Sequence, residues 1–206
     1  MHRFIREALR RDWLLYFGVA AVFVFGLLLG ALKVNFLHPA QAEKLYRFVE
    51  AFARQVPGIF PAPGQLLWEA VSAKLAVILL FYLLGLSFLG IPFILALVFF
   101  EGFALGFTLA LICRCFPWPK GAVLSLCTFL PQHALYLPAL LLGAGGALSF
   151  SLLLVPRPSS SFGAVWPSLL NYTALMFFAL AMAAGGVLVE AFLTPWLAKL
   201  ALGFLG

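Results

Sequence analysis

Three residues of this 206-residue chain combine titratable chemistry with surroundings that exclude water. Glu101 is the only charged side chain between Leu75 and Ile112. His133 follows Gln132 in a stretch that carries no charge from Gly121 to Val155, and Glu190 ends an apolar run that begins near Leu169. A carboxylate in hydrocarbon costs about 3 kcal/mol on insertion scales, so Glu101 must be protonated, paired, or placed at a water-filled surface. Groups of this kind either move protons and ions or clamp helices together. Gly102 and Gly106 beside it have the small-xxx-small spacing that lets another helix or a polar side chain come close. Pro131 and Pro138 flank His133, and the pattern predicts a helix broken at Pro131–His133, with Gln132 and His133 as donors to the carbonyls that the break releases.

Other chemistry has weak support. Ser125, His133 and Glu101 form a hydrolytic triad only on paper, because no GxSxG, HExxH or paired aspartates accompany them. Cys113, Cys115 and Cys127 lack the spacing of a redox CxxC, and no second His or Cys cluster completes a zinc site. Small apolar filler is the better reading of all three. No catalytic residue, cofactor or metal is therefore assigned.

The elements that must position these groups are membrane spans. Hydrophobic residues make up 65% of the chain against 10% charged, and mean hydropathy is +1.10. That composition predicts an all-α, polytopic helical bundle forming a single membrane domain over residues 1–206. A crossing helix needs about 20 apolar residues, so Leu75 to Ile112 is too long for one span and fits two short ones. The break is expected at Gly90-Ile91-Pro92, where Pro cannot donate the bond a continuing helix needs. Five spans follow, at roughly 13–32, 67–89, 92–112, 121–155 and 169–193. The first carries Gly26 and Gly30 at GxxxG spacing. Four arginines precede it, yet its apolar run exceeds the roughly 7 to 15 residues of a signal h-region, so it reads as a retained span. Thr194-Pro195-Trp196 is expected to end the last span, with a short interfacial helix after it.

Residues 33–74 form the one long polar stretch, with an amphipathic helix at 42–56. Leu45, Phe48, Val49 and Phe52 share one face, and Glu43 with Arg47 and Glu50 with Arg54 are i,i+4 pairs on the other. That face either lies on the membrane or docks a partner. The formal charge of +6 indicates anionic lipid, because no basic stripe is interleaved with aromatics as nucleic-acid binding requires.

Four stretches together resemble the stage II sporulation protein M family: Val34-Asn35 after the first span, GLSFLGIPFILALVFFEGFALGFT, LPQHALYLPALLL, and EAFLTPWL. They stand in the family's order over nearly the whole chain. Wider relatives carry a third motif like LPHG...E; here those positions hold Gln132, His133 and Tyr136, a departure that favours the sporulation branch. The resemblance implies a non-enzymatic, multi-pass scaffold acting in engulfment of the forespore. It would hold two membrane-anchored cell-wall hydrolases, sporulation proteins D and P, at the septal or engulfing membrane of the mother cell. Glu190, Pro195 and Pro138 join Glu101, Gly102, Gly106, Pro131, Gln132 and His133 as candidates for partner or helix contact, self-association included. A different function, a small transporter or channel, would use Glu101, His133 and Glu190 along a polar path.

Orientation is the least determined feature of the sequence. Five spans with the N-terminus inside put the long loop outside, whereas making part of Leu75–Ile112 re-entrant would return Arg114 and Lys120 to the cytoplasm.

Overall fold

The computed structural model describes residues 13–55, 63–116, 120–155 and 162–205, with side chains described over 13–47, 68, 71–116, 133–155 and 166–189. The described chain is helical throughout: α1 Trp13–Lys33, a 3-10 turn Val34–Phe36, α2 Pro39–Gln55, α3 Pro63–Gly85, a 3-10 turn Phe88–Gly90, α4 Ile91–Cys115, α5 Lys120–Leu153 and α6 Phe162–Leu205. Four stretches are long and apolar enough to cross a membrane, Trp13–Phe36, Phe88–Cys115, His133–Leu153 and Trp166–Val189, and Val71–Gly85 of α3 is a shorter apolar helix. Four of the five expected spans are thus helices long and apolar enough to cross, the fifth, expected at 67–89, falls on α3 with its shorter apolar part, and the chain is an all-α polytopic bundle.

α5 is the hub. In its apolar window 61% of residues are buried, against 22% in α1 and in α4, which therefore lie at the rim and face lipid. Small residues make this central position feasible. Ala139, Gly143, Ala144 and Ala147 bring α5 close to Ile78 and Phe81 of α3 and to Ala179 of α6.

The two GxxxG-type motifs meet each other. A Cβ on Gly26 would strike the Phe99 carbonyl and one on Gly30 the Phe103 carbonyl; reciprocally, Gly102 lies against the Phe23 carbonyl and Gly106 against that of Leu27. Lipid offers no hydrophobic drive for helices to associate, so backbone contact and dispersion must hold the pair. Val19 and Phe23 on α1, with Ile94 and Val98 on α4, extend the same buried seam. Residue numbers rise together along the contact, so α1 and α4 run parallel. Arg114 confirms the register, its guanidinium donating to the Val34 carbonyl at 3.3 Å. The C-terminal ends of α1 and α4 thus share one side of the bundle, as five crossings require. The re-entrant alternative would have put them on opposite sides.

The break between α3 and α4 falls at Leu86–Gly90, with Pro92 in the first turn of α4 as expected. In hydrocarbon the last carbonyls of α3 cannot be left to water. Leu83 and Leu84 accept from the backbone N–H groups of Leu86 and Ser87 at 3.3 and 3.1 Å. Tyr172 of α6 donates to the Tyr82 carbonyl at 3.0 Å, and Ser151 of α5 to that of Gly85 at 3.1 Å. Ser151 also reaches Ser87 O at 3.1 Å and Tyr172 reaches Phe81 O at 3.0 Å. Two distant side chains therefore cap α3. Stacking of Tyr172 on Phe150, with ring centres 4.6 Å apart, fixes the first of them.

Two expected breaks are absent. α5 continues from Lys120 to Leu153 through Pro131 and Pro138, and α6 from Phe162 to Leu205 through Pro195, so Pro131–His133 is not a broken segment and the terminal stretch is no separate helix. Each Pro removes one intrahelical bond, but unravelling a turn in hydrocarbon would expose several more, so the continuous helix is favoured. The amphipathic helix starts three residues earlier than expected, at Pro39 in place of Ala42. Pro at the first position is preset for helix, and the His38 carbonyl takes the N–H of Gln41 and of Ala42 at 2.9 and 3.0 Å.

Alanine should separate packed from free glycines. Gly106→Ala places a methyl on the Leu27 backbone and is expected to destabilise the detergent-extracted protein by about 3 kcal/mol. Gly18 has nothing within 4 Å of its added Cβ, so Gly18→Ala should be neutral or stabilising by up to about 1 kcal/mol. Thermal melts of the two variants check the contrast.

Candidate functional site

Glu101 lies near the middle of α4 and is only partly buried. Its carboxylate accepts a hydrogen bond from the side chain of Tyr136 on α5 and is attracted to Lys74 on α3. Lys74 Nζ stands 5.0 Å from the centre of the Tyr136 ring, over its face. His133, one helical turn before Tyr136, meets that ring edge-on with centres 6.1 Å apart. Three helices thus meet in a single cluster, α3 and α4 with one charged group each and α5 with Tyr136 and His133.

The cluster occupies a common level in the bundle. Lys74 is the midpoint of α3, Tyr136 lies at the middle of α5, and Gly102 sits against Phe23, the midpoint of α1. Glu101 stands at the middle of the apolar stretch Phe88–Cys115, which is long enough to cross, so the cluster lies within that span and away from its ends. A carboxylate and an ammonium there are each costly alone. Together, with a phenol satisfying one carboxylate oxygen and an aromatic face receiving the cation, each removes part of the other's penalty.

The sequence-derived candidates separate into distinct roles. Glu101 and His133 enter the cluster, while Gly102 and Gly106 form the seam with α1. Pro138 faces outward from α5. Pro131 and Gln132 lie on α5, and Glu190 and Pro195 on α6, with side chains outside the described residues. On α2, Leu45 is half-buried, and Phe48, Val49 and Phe52 occupy helical positions whose side chains lie outside the described set. The opposite face carries the expected Arg47–Glu43 pair at 2.6 Å, open to solvent. Lys74 and Tyr136 were not predicted as partners of Glu101. Lys74 closes the polar stretch in sequence, and only a helix beginning at Pro63 brings it to mid-span.

Elsewhere, Ile78 and Tyr82 of α3 with Thr173, Met176 and Phe177 of α6 line a cleft of about 190 Å³. Its walls are apolar apart from the Tyr82 and Thr173 hydroxyls, which bond to each other at 3.3 Å. Among the described residues no three His, Cys, Asp or Glu side chains gather as metal ligands.

The cluster makes a double-mutant expectation. Lys74→Met leaves Glu101 without its counter-charge and should cost about 3 kcal/mol, whereas adding Glu101→Gln should restore much of that loss. Tyr136→Phe, which removes one hydrogen bond to a charged group, should cost about 2 kcal/mol. Unfolding in a graded denaturing detergent measures all three variants on one scale.

The family model for Stage II sporulation protein M matches residues 19–195, from the buried Val19 of the α1–α4 seam to Pro195 of α6. No curated protein and no solved structure matches the chain. The matched region covers most of the sequence and reaches into every helix of the bundle, and the chain belongs to the Stage II sporulation protein M family.

Proposed function

We propose that this sporulation membrane protein is a non-enzymatic scaffold for engulfment. It holds the membrane-anchored peptidoglycan hydrolases, sporulation proteins D and P, at the septal or engulfing membrane. Family membership supports the process. The use of the bundle's polar groups supports the mechanism. Tyr172, Ser151 and Arg114 each donate to a backbone carbonyl of another helix. Those bonds make a rigid frame in which helix termini are fixed relative to one another.

The part of the frame offered to partners is α2, the amphipathic helix between α1 and α3. It sits on the side where α1 and α4 end, carries an exposed ion pair on one face, and has Leu45, Phe48, Val49 and Phe52 on the other. An apolar stripe of this kind docks onto a groove or another helix. Facing the cell-wall side, it would meet partners anchored in the same membrane.

One observation favours a second reading, transport. Charged side chains meet near the middle of α4, and transporters place their binding sites well inside their spans. Of the three residues expected along such a path, Glu101 and His133 are in the cluster.

Affinity capture distinguishes the two. Tagged protein extracted in mild detergent should retain both hydrolases, Leu45→Glu combined with Phe48→Glu should reduce their recovery at least tenfold at unchanged membrane abundance, and Glu101→Gln should leave it intact. Loss of neither hydrolase from the double variant, together with solute flux in vesicles that disappears in Glu101→Gln, would establish transport and contradict the scaffold.

A further inference from the structure

The Tyr136 cluster has more recognition chemistry than a frame needs. One aromatic ring offers its face to an ammonium, Lys74 Nζ at 5.0 Å. The hydroxyl of the same ring donates to the Glu101 carboxylate, and that carboxylate attracts the same ammonium. Ring and acid come from different helices, α5 and α4, and the cation from a third. The arrangement is therefore a preformed receptor with a tethered occupant.

We propose that Glu101 and Tyr136 form an intramembrane recognition site for a primary ammonium group, filled in this chain by its own Lys74. The site's chemistry selects that class. A single aromatic wall gives a cation–π contact without the surrounding cage that a quaternary ammonium requires. A compact ammonium with three N–H donors can bond a carboxylate while resting on the ring, whereas the planar fork of a guanidinium needs two parallel acceptors and more room. His133 stands perpendicular to the Tyr136 ring on the same helix, a contact that restricts the ring's orientation. Lys74 and Glu101 are partly exposed while Tyr136 is buried, so removing the Lys74 side chain opens the way to the ring and the acid. The proposal is independent of the scaffold reading, because it concerns only what the acid and the ring bind.

Chemical rescue tests it. Lys74→Ala removes the atoms beyond Cβ, and the missing piece is n-propylammonium. The purified full-length variant should melt below wild type in detergent, and n-propylammonium chloride at tens of millimolar should raise its melting point by about 4 °C. n-Propanol, tetramethylammonium at equal ionic strength, and n-propylammonium added to wild type or to Lys74→Ala/Glu101→Gln should each have no such effect. A rise as large with n-propanol, a rise preserved in the double variant, or no rise with n-propylammonium overturns the proposal. Where Lys74→Ala is lost on extraction, extraction into each additive gives the same reading. Recovery with n-propylammonium alone supports the site, and recovery with every additive or with none contradicts it.

Discussion

The fold depends on how closely two backbones approach. α1 and α4 touch through Gly26, Gly30, Gly102 and Gly106, each against a carbonyl of the opposite helix, at a separation no side chain would permit. In water, a buried apolar face would pull two helices together over a range of distances. Lipid supplies no such pull, so the contact has to be short to be worth making, and glycine is what makes it short. Once the seam is closed, α4 has a fixed direction and Glu101 a fixed depth. Everything placed around Glu101 inherits that geometry.

The same solvent explains the polar groups. Away from water, each open carbonyl and each charge needs a partner from within the protein. The bundle meets the demand with side chains from distant sequence. Tyr172 and Ser151 close the end of α3, Arg114 reaches the carbonyl that ends α1, and Lys74 and Tyr136 answer Glu101. Each bond ties one helix to another, so satisfying the backbone and stiffening the frame are a single act. The scaffold role proposed above would draw on such stiffness.

Much of this was legible from residue types alone, for identifiable reasons. Apolar length located the crossing stretches, and Gly90-Ile91-Pro92 marked the hairpin break to within a few residues, at its C-terminal edge, because both are local properties of the chain. Gly26, Gly30, Gly102 and Gly106 were recognisable as contact faces, although spacing cannot say which faces meet. Pro131 and Pro195 were over-read as breaks. The rule behind that reading holds in water, and hydrocarbon raises the cost of unravelling. Missing from the reading were the partners of Glu101. Lys74 belongs by composition to the polar segment, and its depth follows only from where α3 starts. Tyr136 stood out solely as a departure from the wider family's acidic residue. The caps on α3 come from residues more than sixty positions away, a relation that no local pattern encodes.

The central claim, that α1 and α4 pack in parallel with their C-terminal ends together, is open to a direct distance measurement. Spin labels would be placed at Cys113 and at either Phe36→Cys or Trp13→Cys, all exposed positions, with Cys115 and Cys127 replaced by serine. Parallel packing predicts a short Phe36–Cys113 distance, roughly 20 Å between labels, and a Trp13–Cys113 distance longer by roughly 15 Å or more, since Trp13 lies at the far end of a helix about 32 Å long. If Trp13 proves the nearer of the two to Cys113, the helices are antiparallel and the account is wrong.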